Sequence, residues 1–271
     1  MDRVLVTGGL GFIGSYLVEE LKKKYKVTVL DNLSHSKPYH DVYSYHADVR
    51  DKYLDEMFSC DYIIHLAAKI DVSESFLKPL EYTDNNVLGT LNVLENAKKA
   101  GVKKVIFASS ASTYEPLSSP YALSKAMGET YCEYYSKDLS IVILRLFNVY
   151  GQGQSENSVI PKFMRAIKAH KSPTINGNGE PTRDYIYIKD VVRAFLWAFD
   201  VVGDYDIGTG VGTSTKDLWE TMCKIHGVSI TPNYVSKHSG VRHSVANTKR
   251  ASDLGYKSTY ELVKGLNDCI G

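Results

Sequence analysis

Two short stretches of the chain carry the residue types best suited to acid–base chemistry. In the run 105–114, an apolar sequence typical of a buried β-strand leads into the hydroxyl residues Ser109 and Ser110. Shortly after it, Tyr121 and Lys125 stand at what we predict to be the start of a helix. Side chains at i and i+4 share a helix face, so both can point at one reacting atom. Ligands of doubly wound folds bind at the carboxyl ends of strands, where this cluster is predicted to lie.

The elements that position this cluster begin with a strand, a glycine-rich turn and a helix. Arg3–Thr7 is predicted as a strand, the turn runs from Gly8 to Gly14, and a second strand, Lys26–Leu30, stops at Asp31. Glycines let backbone approach a pyrophosphate at a helix N-terminus, and the acid can bind ribose hydroxyls. The pattern predicts a dinucleotide site. The carboxylate, with no arginine at the next two positions, favours NAD over NADP.

Four further segments are predicted as additional strands of the same sheet. They are Tyr43–His46, Asp61–Ala68, Lys103–Ala108 and Ser140–Leu146. Strands that alternate with helix patterns predict an α/β class, here a Rossmann fold with a doubly wound parallel sheet. After Gly151 this alternation stops, and glycine, proline and asparagine become frequent. We therefore predict a Rossmann domain at 1–150, rejoined by 183–208, and a smaller C-terminal substrate-binding region at 151–271.

Several polar residues in the first half allow two interpretations each. Asp48 follows the third strand and could bind an adenine amino group or cap the next helix. His65 lies inside an apolar run, which favours a hydrogen-bonded core histidine over a catalytic one. Asn85 and Asn86 lie early in a helix predicted over 82–100, where asparagine is a poor helix former. They could hold backbone or water near the site, or be exposed.

Net charge, cysteine spacing and the length of the apolar runs limit the partners and the location that we expect. The formal net charge of +1 gives no electrostatic reason to expect a nucleic-acid partner. The four cysteines are widely spaced, with no metal-ligand pattern, so we expect reduced thiols and no metal site. No apolar run approaches the roughly 20 residues that span a bilayer, and a strand begins at once, with no signal peptide. We expect a cytoplasmic protein without a membrane partner.

Two arginines in the second half are candidate phosphate ligands. A guanidinium pairs with a phosphate through two hydrogen bonds, and Arg183 follows a Gly/Asn-rich stretch, 173–179, that suits a ligand-holding loop. Arg242 has no such context. Taken alone, each is better interpreted as a surface arginine, and Arg183 gains weight from the loop before it.

Ten motifs in a fixed order carry a family resemblance. They are Thr7-Gly-Gly-Leu-Gly-Phe-Ile-Gly14, Asp31-Asn-Leu-Ser34, Ala47-Asp-Val-Arg-Asp51, His65-Leu-Ala-Ala68, Asn86-Val-Leu-Gly-Thr90, Ser109-Ser110, Tyr121-xxx-Lys125, Arg145-Leu-Phe-Asn148, Arg183-Asp-Tyr185 and Val241-Arg-His-Ser-Val-Ala246. Together they resemble the extended short-chain dehydrogenases/reductases that act on nucleotide sugars. Within that superfamily the chain is most similar to the UDP-galactose or UDP-N-acetylglucosamine 4-epimerases.

The resemblance implies NAD as the cofactor. The implied cofactor-binding residues are Gly8, Gly11, Phe12, Ile13, Gly14, Asp31, Asn32, Asp48, Val49, Leu66, Ala67, Ala68, Asn86, Ser109, Tyr121 and Lys125. Among them the three glycines hold the pyrophosphate, Asp31 the adenosine ribose, and Asp48 and Val49 the adenine. Ala67 and Ala68 line the cofactor.

The resemblance also implies a catalytic set and a redox-neutral reaction. Tyr121 takes the proton from the sugar 4-hydroxyl, and Ser110 hydrogen-bonds the sugar oxygen. Lys125 binds the nicotinamide ribose, and its charge is expected to favour the tyrosinate over a phenol of pKa ~10. A 4-keto sugar forms, turns about its pyrophosphate tether and is reduced on the other face. The activity implied is an isomerase of the UDP-glucose (UDP-N-acetylglucosamine) 4-epimerase type.

The implied partners are a nucleotide sugar and a second copy of the chain. The implied substrate-binding residues are Ser110, Tyr121, Asn148, Arg183, Arg242 and Ser244. Relatives often form homodimers through the helices that match 82–100 and 119–137. In the epimerases a bulky residue at the position of Ser244 closes the pocket around the sugar C2 group. Because serine is small, we expect N-acetylhexosamines to fit here as well as hexoses.

Three alternative functions can be weighed on the same residues. The 4,6-dehydratases follow the catalytic hydroxyl residue with an Asp-Glu pair, but Ser110 is followed by Ala111 and Ser112, which cannot act as acid or base. Decarboxylases use a nearby glutamate, and Glu115 lies beyond the matching position. A non-catalytic NAD-binding protein has no need of Tyr121. A 4-epimerase therefore fits best.

The sequence departs from the family pattern in two places. Only 115–120 separate Tyr114 from Tyr121, where relatives carry a longer loop, so the active-site wall must be more open or be completed by another segment. The stretch 236–240 lacks the Arg-Pro-Gly-Asp/Glu pattern, and Lys237 or Arg242 is expected to substitute for the missing arginine.

Overall fold

The structure is a computed structural model that describes residues 1–34, 42–52, 54–236 and 242–269. The strands are β1 Arg3–Thr7, β2 Lys26–Asp31, β3 Tyr43–His46, β4 Tyr62–His65, β5 Lys104–Ser110, β6 Ile141–Leu146, β7 Asn148–Tyr150, β8 Thr174–Asn176, β9 Thr182–Tyr187, β10 Gly203–Ile207, β11 Gly212–Ser214, β12 Asn233–Val235 and β13 His243–Ser244. The α-helices are α1 Phe12–Leu21, α2 Val72–Leu77, α3 Pro79–Tyr82, α4 Gly89–Ala100, α5 Pro120–Tyr135, α6 Val159–Lys168, α7 Ile188–Trp197, α8 Thr215–Ile225, α9 Lys249–Asp253 and α10 Leu262–Asp268.

The chain divides into two compact units. The first contains Met1–Leu146 and Val192–Tyr205, and the second contains Phe147–Val191 and Asp206–Gly271. The sequence placed this boundary at residue 150 and returned 183–208 to the main sheet. In the structure β10, within that returning stretch, lies in the main sheet, whereas β9 pairs with β7 inside the second unit, so only Val192–Tyr205 of the stretch belongs to the first unit.

The main sheet has the strand order β10-β6-β5-β4-β1-β2-β3 among the described residues. Its neighbouring strands from β1 to β6 are parallel. Apolar runs such as Val4–Val6 and Val105–Phe107 are almost fully buried, as expected for parallel strands covered on both faces. The order reverses direction between β1 and β4, and such a switch point is where α/β folds bind ligands at the carboxyl ends of their strands.

The core of the first unit lies between this sheet and the helices beside it. Leu5, Ile63 and Phe107 from three strands pack with Val93 of α4 and Cys132 of α5. Burying a large apolar side chain contributes about 1.5–3 kcal/mol. This packing holds α5 against β5, and thus fixes the helix that bears the candidate catalytic pair.

The long helix predicted in the first unit is interrupted in the structure. The sequence predicted a single helix over 82–100, but the structure has α3, a π-helical segment at Thr83–Leu88, and then α4. Wide π turns are rare and cluster at functional sites. Asn85 and Asn86 of this segment are buried, and Asn86 donates hydrogen bonds to the Lys69 carbonyl and to Ser124, which are distant in sequence.

The second unit has its own small sheets. In the described residues β9 pairs with β11 on one edge and with β7 and β13 on the other. A separate pair, β8 with β12, includes 174–176 of the stretch 173–179, which the sequence predicted as a loop throughout. None of the helices in the described part of the chain is long and apolar enough to cross a membrane.

Candidate active site

The glycine-rich turn between β1 and α1 is packed too tightly for side chains. Gly8 has a φ of +67°, and a Cβ there would lie 2.7 Å from the backbone nitrogen of Ala67. A Cβ on Gly14 would lie 2.5 Å from the carbonyl oxygen of Gly8. Gly11 is the N-cap of α1, without a side-chain capping bond. The turn therefore brings bare backbone to a helix N-terminus, which fits the approach of a pyrophosphate.

Asp31 ties the end of β2 to this turn. Its side chain is buried, and its carboxylate accepts hydrogen bonds from the backbone nitrogens of Leu10 (3.0 Å) and Leu33 (2.9 Å). Leu10 belongs to the glycine-rich turn, so the acid is fixed beside it. An acid at this position fits a ribose diol, and a 2′-phosphate would meet its negative charge.

Asp48 forms an ion pair rather than a helix cap. Its carboxylate accepts from the Arg50 Nε at 2.7 Å, from the Arg50 backbone nitrogen at 3.0 Å and from Asn32 Nδ2 at 2.7 Å. The guanidinium of Arg50, together with Asn32, lowers the pKa of Asp48 to about 2. The capping interpretation is therefore wrong. Val49 beside it is buried, and Asn92 of α4 donates to its carbonyl.

His65 is a hydrogen-bonded core histidine, as the sequence favoured. Its Nδ1 lies 2.7 Å from Thr7 Oγ1 and its Nε2 lies 3.0 Å from Thr90 Oγ1. Burial, and then the positive charge of Lys125, lower the pKa of His65 to about 3, so the ring is neutral near pH 7. The Thr7 hydroxyl also accepts from the Ala67 backbone nitrogen, which places the turn after β4.

Asn86 links the turn after β4 to α5 through side-chain hydrogen bonds. Its Oδ1 accepts from the Lys69 backbone nitrogen at 2.8 Å, and its Nδ2 donates to the Lys69 carbonyl and to Ser124 Oγ of α5. Asn85 donates to Asn86, and both are buried. The exposed interpretation is therefore wrong. The segment 66–68 lies between β4 and Lys69, whose backbone is bonded to Asn86. The backbone of Leu66, Ala67 and Ala68 is therefore held at both ends.

Tyr121 and Lys125 lie in the first turns of α5. Ser119 caps the helix by accepting from the Ala122 backbone nitrogen. Both side chains of the pair are buried, and Lys125 Nζ donates to the Ala108 carbonyl of β5 at 2.8 Å. Burial lowers the pKa of Lys125 to about 8, although Cys132 and Glu129 act in the opposite direction. The lysine thus lies against the strand end that carries the hydroxyl residues.

The ionisation of Tyr121 differs from the sequence expectation. The positive charge of Lys125 was expected to favour the tyrosinate. In the structure burial raises the pKa of Tyr121 above its ordinary value, and a hydrogen bond with Ser110 offsets only part of that rise. The phenol is therefore the resting form near pH 7, and Ser110 is the partner that favours its ionisation.

The hydroxyl cluster is held in an extended strand. β5 continues through Ser110, two residues beyond the predicted end. Ser110 Oγ lies 2.6 Å from Ser112 Oγ, and Ser109 Oγ donates to Glu129 of α5. A 3₁₀ turn at Ala111–Tyr114 follows. The two serines therefore differ, because Ser109 bonds to the helix and Ser110 bonds to Tyr121 and Ser112.

Sequence reasoning missed the acidic and basic residues that support this cluster. Glu129 accepts from Ser109 and from Thr113, and Arg145 of β6 pairs with it at 2.7 Å. Two signals could have found them. Glu129 continues the Tyr121 and Lys125 spacing of four residues, and Arg145 interrupts an apolar strand.

The second unit places most of its predicted substrate residues on one sheet face. Arg183 of β9 pairs with Ser244 of β13, and Asn148 of β7 pairs with Tyr185, two residues further along β9. Paired residues and alternate residues of a strand share a face. Asn148, Arg183 and Ser244 therefore line the same face, together with Thr213 of β11.

Arg242 lies beside this face but outside the strands. It is exposed, and its carbonyl accepts from the Thr182 backbone nitrogen at 2.9 Å. Arg183 is half-buried and donates to the Thr182 carbonyl. Burial raises the pKa of Tyr185 to about 12, against the opposing charge of Arg183. Lys237 lies outside the described residues.

Known proteins resemble the chain over most of its length. A UDP-glucose 4-epimerase from Mycolicibacterium smegmatis is 34% identical, over 97% of this chain and 96% of its own. A UDP-N-acetylglucosamine 4-epimerase from Methanobrevibacter ruminantium, solved with UDP-N-acetylmuramic acid, superposes with a TM-score of 0.93 at 34% identity, covering 99% of this chain and 97% of its own. A Thermus thermophilus UDP-glucose 4-epimerase solved with NAD gives 0.91 at 31% identity, with the same two coverages.

The family model agrees with these relatives. The model of the NAD-dependent epimerase/dehydratase family matches residues 4–208. That range includes the glycine-rich turn, Asp31 and the hydroxyl cluster with Tyr121 and Lys125. The chain therefore belongs to the NAD-dependent epimerase/dehydratase family.

Proposed function

We propose that the protein is an NAD-dependent 4-epimerase of a UDP-hexose or UDP-N-acetylhexosamine, and hence an isomerase. The observation that carries the proposal is the burial of Tyr121 and Lys125 on one face of α5, with Lys125 bonded to the Ala108 carbonyl in the strand that leads to Ser110. Inversion at C4 needs one group that removes and returns a hydroxyl proton. It needs no further acid for elimination, and the residues after Ser110 offer none.

The first unit is proposed to hold NAD. The pyrophosphate is assigned to the turn formed by Gly8, Gly11 and Gly14, with Phe12 and Ile13 opening α1 beside it. The adenosine ribose is assigned to Asp31, whose charge favours NAD over NADP. When bound, NAD⁺ supplies hydride-transfer chemistry at the sugar carbon.

The remaining cofactor contacts are assigned along neighbouring strand ends. The adenine is assigned to Asn32, Asp48 and Val49, which follow β2 and β3. The residues assigned to the rest of the dinucleotide are Leu66, Ala67, Ala68, Asn86, Ser109, Tyr121 and Lys125. Because Ser109 Oγ already donates its proton to Glu129, it can contact the cofactor only as an acceptor or through its backbone.

The chain's own residues move and place the proton. Tyr121 is proposed to act as a tyrosinate, which forms from the resting phenol before the transfer. The tyrosinate accepts the proton of the sugar 4-hydroxyl, and the resulting phenol returns a proton after the 4-keto sugar has rotated. Ser110 lowers the pKa of Tyr121 and so favours the tyrosinate. Positioned proton transfer of this kind contributes about 10²–10⁴-fold to a rate. Lys125 is proposed to bind the nicotinamide ribose.

The second unit is proposed to bind the nucleotide sugar. Arg183 and Arg242 are the candidate diphosphate ligands, and Asn148 lies on the same sheet face as Arg183. Ser244 pairs with Arg183 and is small, which supports room for an N-acetyl group at C2. The complex of the Methanobrevibacter relative with UDP-N-acetylmuramic acid supports the same range of sugars.

We also propose a cytoplasmic homodimer. Exposed apolar side chains of the first unit support a helical interface. They are Leu80 on α3, Leu88 at the end of the π-helical segment, and Leu123, Met127 and Tyr134 on α5. The four cysteines are free, as thiols are in a reducing compartment. Sedimentation of the protein with and without a Leu80→Glu change would test the dimer.

Product analysis tests the proposed activity. The purified protein is incubated with UDP-glucose, and separately with UDP-N-acetylglucosamine, without added reductant. The expected result is a C4-inverted product that reaches the same ratio from either direction. A 4-keto-6-deoxy product would assign the chain to the dehydratases instead. Unchanged substrates, with NAD bound, would support a non-catalytic NAD-binding protein.

A further inference from the structure

A buried carboxylate behind the hydroxyl cluster has no part in the function proposed so far. Glu129 lies on α5 one turn beyond Lys125 and two turns beyond Tyr121, and its side chain is only 15% exposed. Oε1 accepts from Ser109 Oγ and from Thr113 Oγ1 (3.1 Å). A buried carboxylate is costly unless its charge and lone pairs are satisfied, so this arrangement is specific.

Arg145 supplies the balancing charge. From β6, its Nε donates to both oxygens of Glu129 at 3.0 Å, and one terminal nitrogen donates to Oε2 at 2.7 Å. Another terminal nitrogen donates to Asp204 of β10 at 2.8 Å. The guanidinium also lies 5.5 Å from the ring centroid of Tyr114. Arg145 thus fixes Glu129 from the sheet side.

The contacts of Glu129 converge on the catalytic serine. Thr113 Oγ1 donates to the Ser110 carbonyl at 2.9 Å as well as approaching Glu129. Ser109 precedes Ser110 directly in β5. Glu129 therefore holds the residue before Ser110 and, through Thr113, the carbonyl of Ser110 itself. All these groups belong to the first unit.

We propose that Glu129 is a positioning residue, which fixes the segment 109–113 to the helix of Tyr121 and Lys125 and thereby sets the Ser110–Tyr121 hydrogen bond. Its catalytic consequence rests on the proposed epimerase function. Its structural consequence, an ordered segment 109–113, does not. The short connection 115–120 is exposed in large part, so Glu129 is the buried anchor on the helix side of this segment.

The test compares Glu129→Gln with Asp204→Asn. Each variant removes one carboxylate partner of Arg145, but Glu129 also contacts the hydroxyl segment. Backbone hydrogen exchange of 109–115 is measured together with kcat and KM. We expect Glu129→Gln to speed exchange in this segment and to lower kcat by about 10–100-fold, the cost of a misplacement near 1 Å. KM and NAD affinity should stay within about 2-fold, and Asp204→Asn should leave exchange at 109–115 and kcat near wild type.

The other possible results would overturn part or all of the role proposed for Glu129. Unchanged exchange at 109–115 in Glu129→Gln would overturn the proposal, whether or not the wild type is an epimerase. Faster exchange with unchanged kcat in an active enzyme would overturn the catalytic part. If Glu129→Gln does not fold, Thr113→Val breaks the link to the Ser110 carbonyl and keeps the ion pair. That variant should lower kcat about 3–10-fold at constant KM.

Discussion

The two units hold their candidate site residues in different ways. In the first unit Asp31, Asn86 and Lys125 are buried, and each makes hydrogen bonds to backbone of a neighbouring element. In the second unit Asn148 and Arg242 are exposed. The half assigned to cofactor and proton transfer is therefore held by fixed partners, while the half assigned to the nucleotide sugar presents side chains on an open sheet face.

This difference predicts where substitutions have large effects. Catalysis depends on groups held within a fraction of an ångström, so changes in the first unit should act on kcat or on cofactor binding. Contacts on an exposed face contribute binding and selectivity in smaller increments. Variants of the first unit should therefore cost more activity than those of the second.

The largest effect is expected from Tyr121→Phe. The variant lacks the phenolic oxygen but keeps the buried ring, which packs edge-on against Tyr82. We expect kcat to fall by about 10²–10⁴-fold, the contribution of a positioned proton-transfer group, while NAD binding is retained. Tyr134→Phe, on the exposed side of the same helix, is the control and should retain wild-type kcat. Equal activities for the two variants would contradict the assignment.

Alanine substitutions at two glycines distinguish the cost of backbone strain from the cost of a steric clash. Gly8 and Gly101 both have a φ of +67°, but a Cβ meets Ala67 backbone at 2.7 Å in the first case and nothing within 4 Å in the second. Alanine at either position costs about 1–2 kcal/mol for the left-handed conformation. We expect Gly8→Ala to lose several kcal/mol in all, and at least about 10-fold in NAD affinity. Calorimetry with and without NAD measures both. Equal losses in the two variants would mean that the turn is not packed as described.

The lowered pKa of Lys125 predicts that the folding stability of the cofactor-free protein depends on pH. Its pKa is lowered by burial from 10.5 to about 8, so between these values the unfolded chain holds a proton that the folded chain has released. Stability should therefore rise with pH across this window, by about 3 kcal/mol from this group. Urea unfolding from pH 7 to 10.5 is compared with Lys125→Met, which lacks the rise. Parallel curves would show that the lysine titrates normally.

The smallest effect is expected in the second unit. Ser244 and Thr213 pair with Arg183 from opposite sides. We expect Ser244→Tyr to lower kcat/KM for UDP-N-acetylglucosamine relative to UDP-glucose by about 10-fold, because the ring fills space proposed for the C2 substituent. Thr213→Tyr is the matched control and should leave the ratio unchanged. A ratio unaltered in both variants would remove Ser244 from the specificity site.

The sequence predicted the parts of the fold that depend on local pattern. Strands β1 and β3 begin and end where they were predicted, and the parallel sheet follows from alternation of strands and helices. The burial of His65 followed from its apolar neighbours. In the second unit the partners of β9 were not predicted, since β7, β11 and β13 are short and pair over long sequence distances.

The parts that escaped prediction depend on tertiary contacts. The π-helical segment exists because Asn86 bonds to Lys69 and Ser124, which are distant in sequence. Glu129 looks like an ordinary surface glutamate until Arg145 is placed opposite it. The ionisation of Tyr121 could not be predicted from its spacing to Lys125, because burial raises the pKa of the phenol and only the tertiary fold shows that burial.

Isotope retention at C4 tests the central claim most directly. The protein is incubated with UDP-glucose carrying deuterium at C4, in ordinary water, and the inverted product is examined by NMR and mass spectrometry. If the C4 hydrogen leaves and returns within one closed site, the product should keep nearly all its deuterium while the rate shows a primary isotope effect. Loss of deuterium to water, or no inverted product at all, would contradict a 4-keto route at Tyr121.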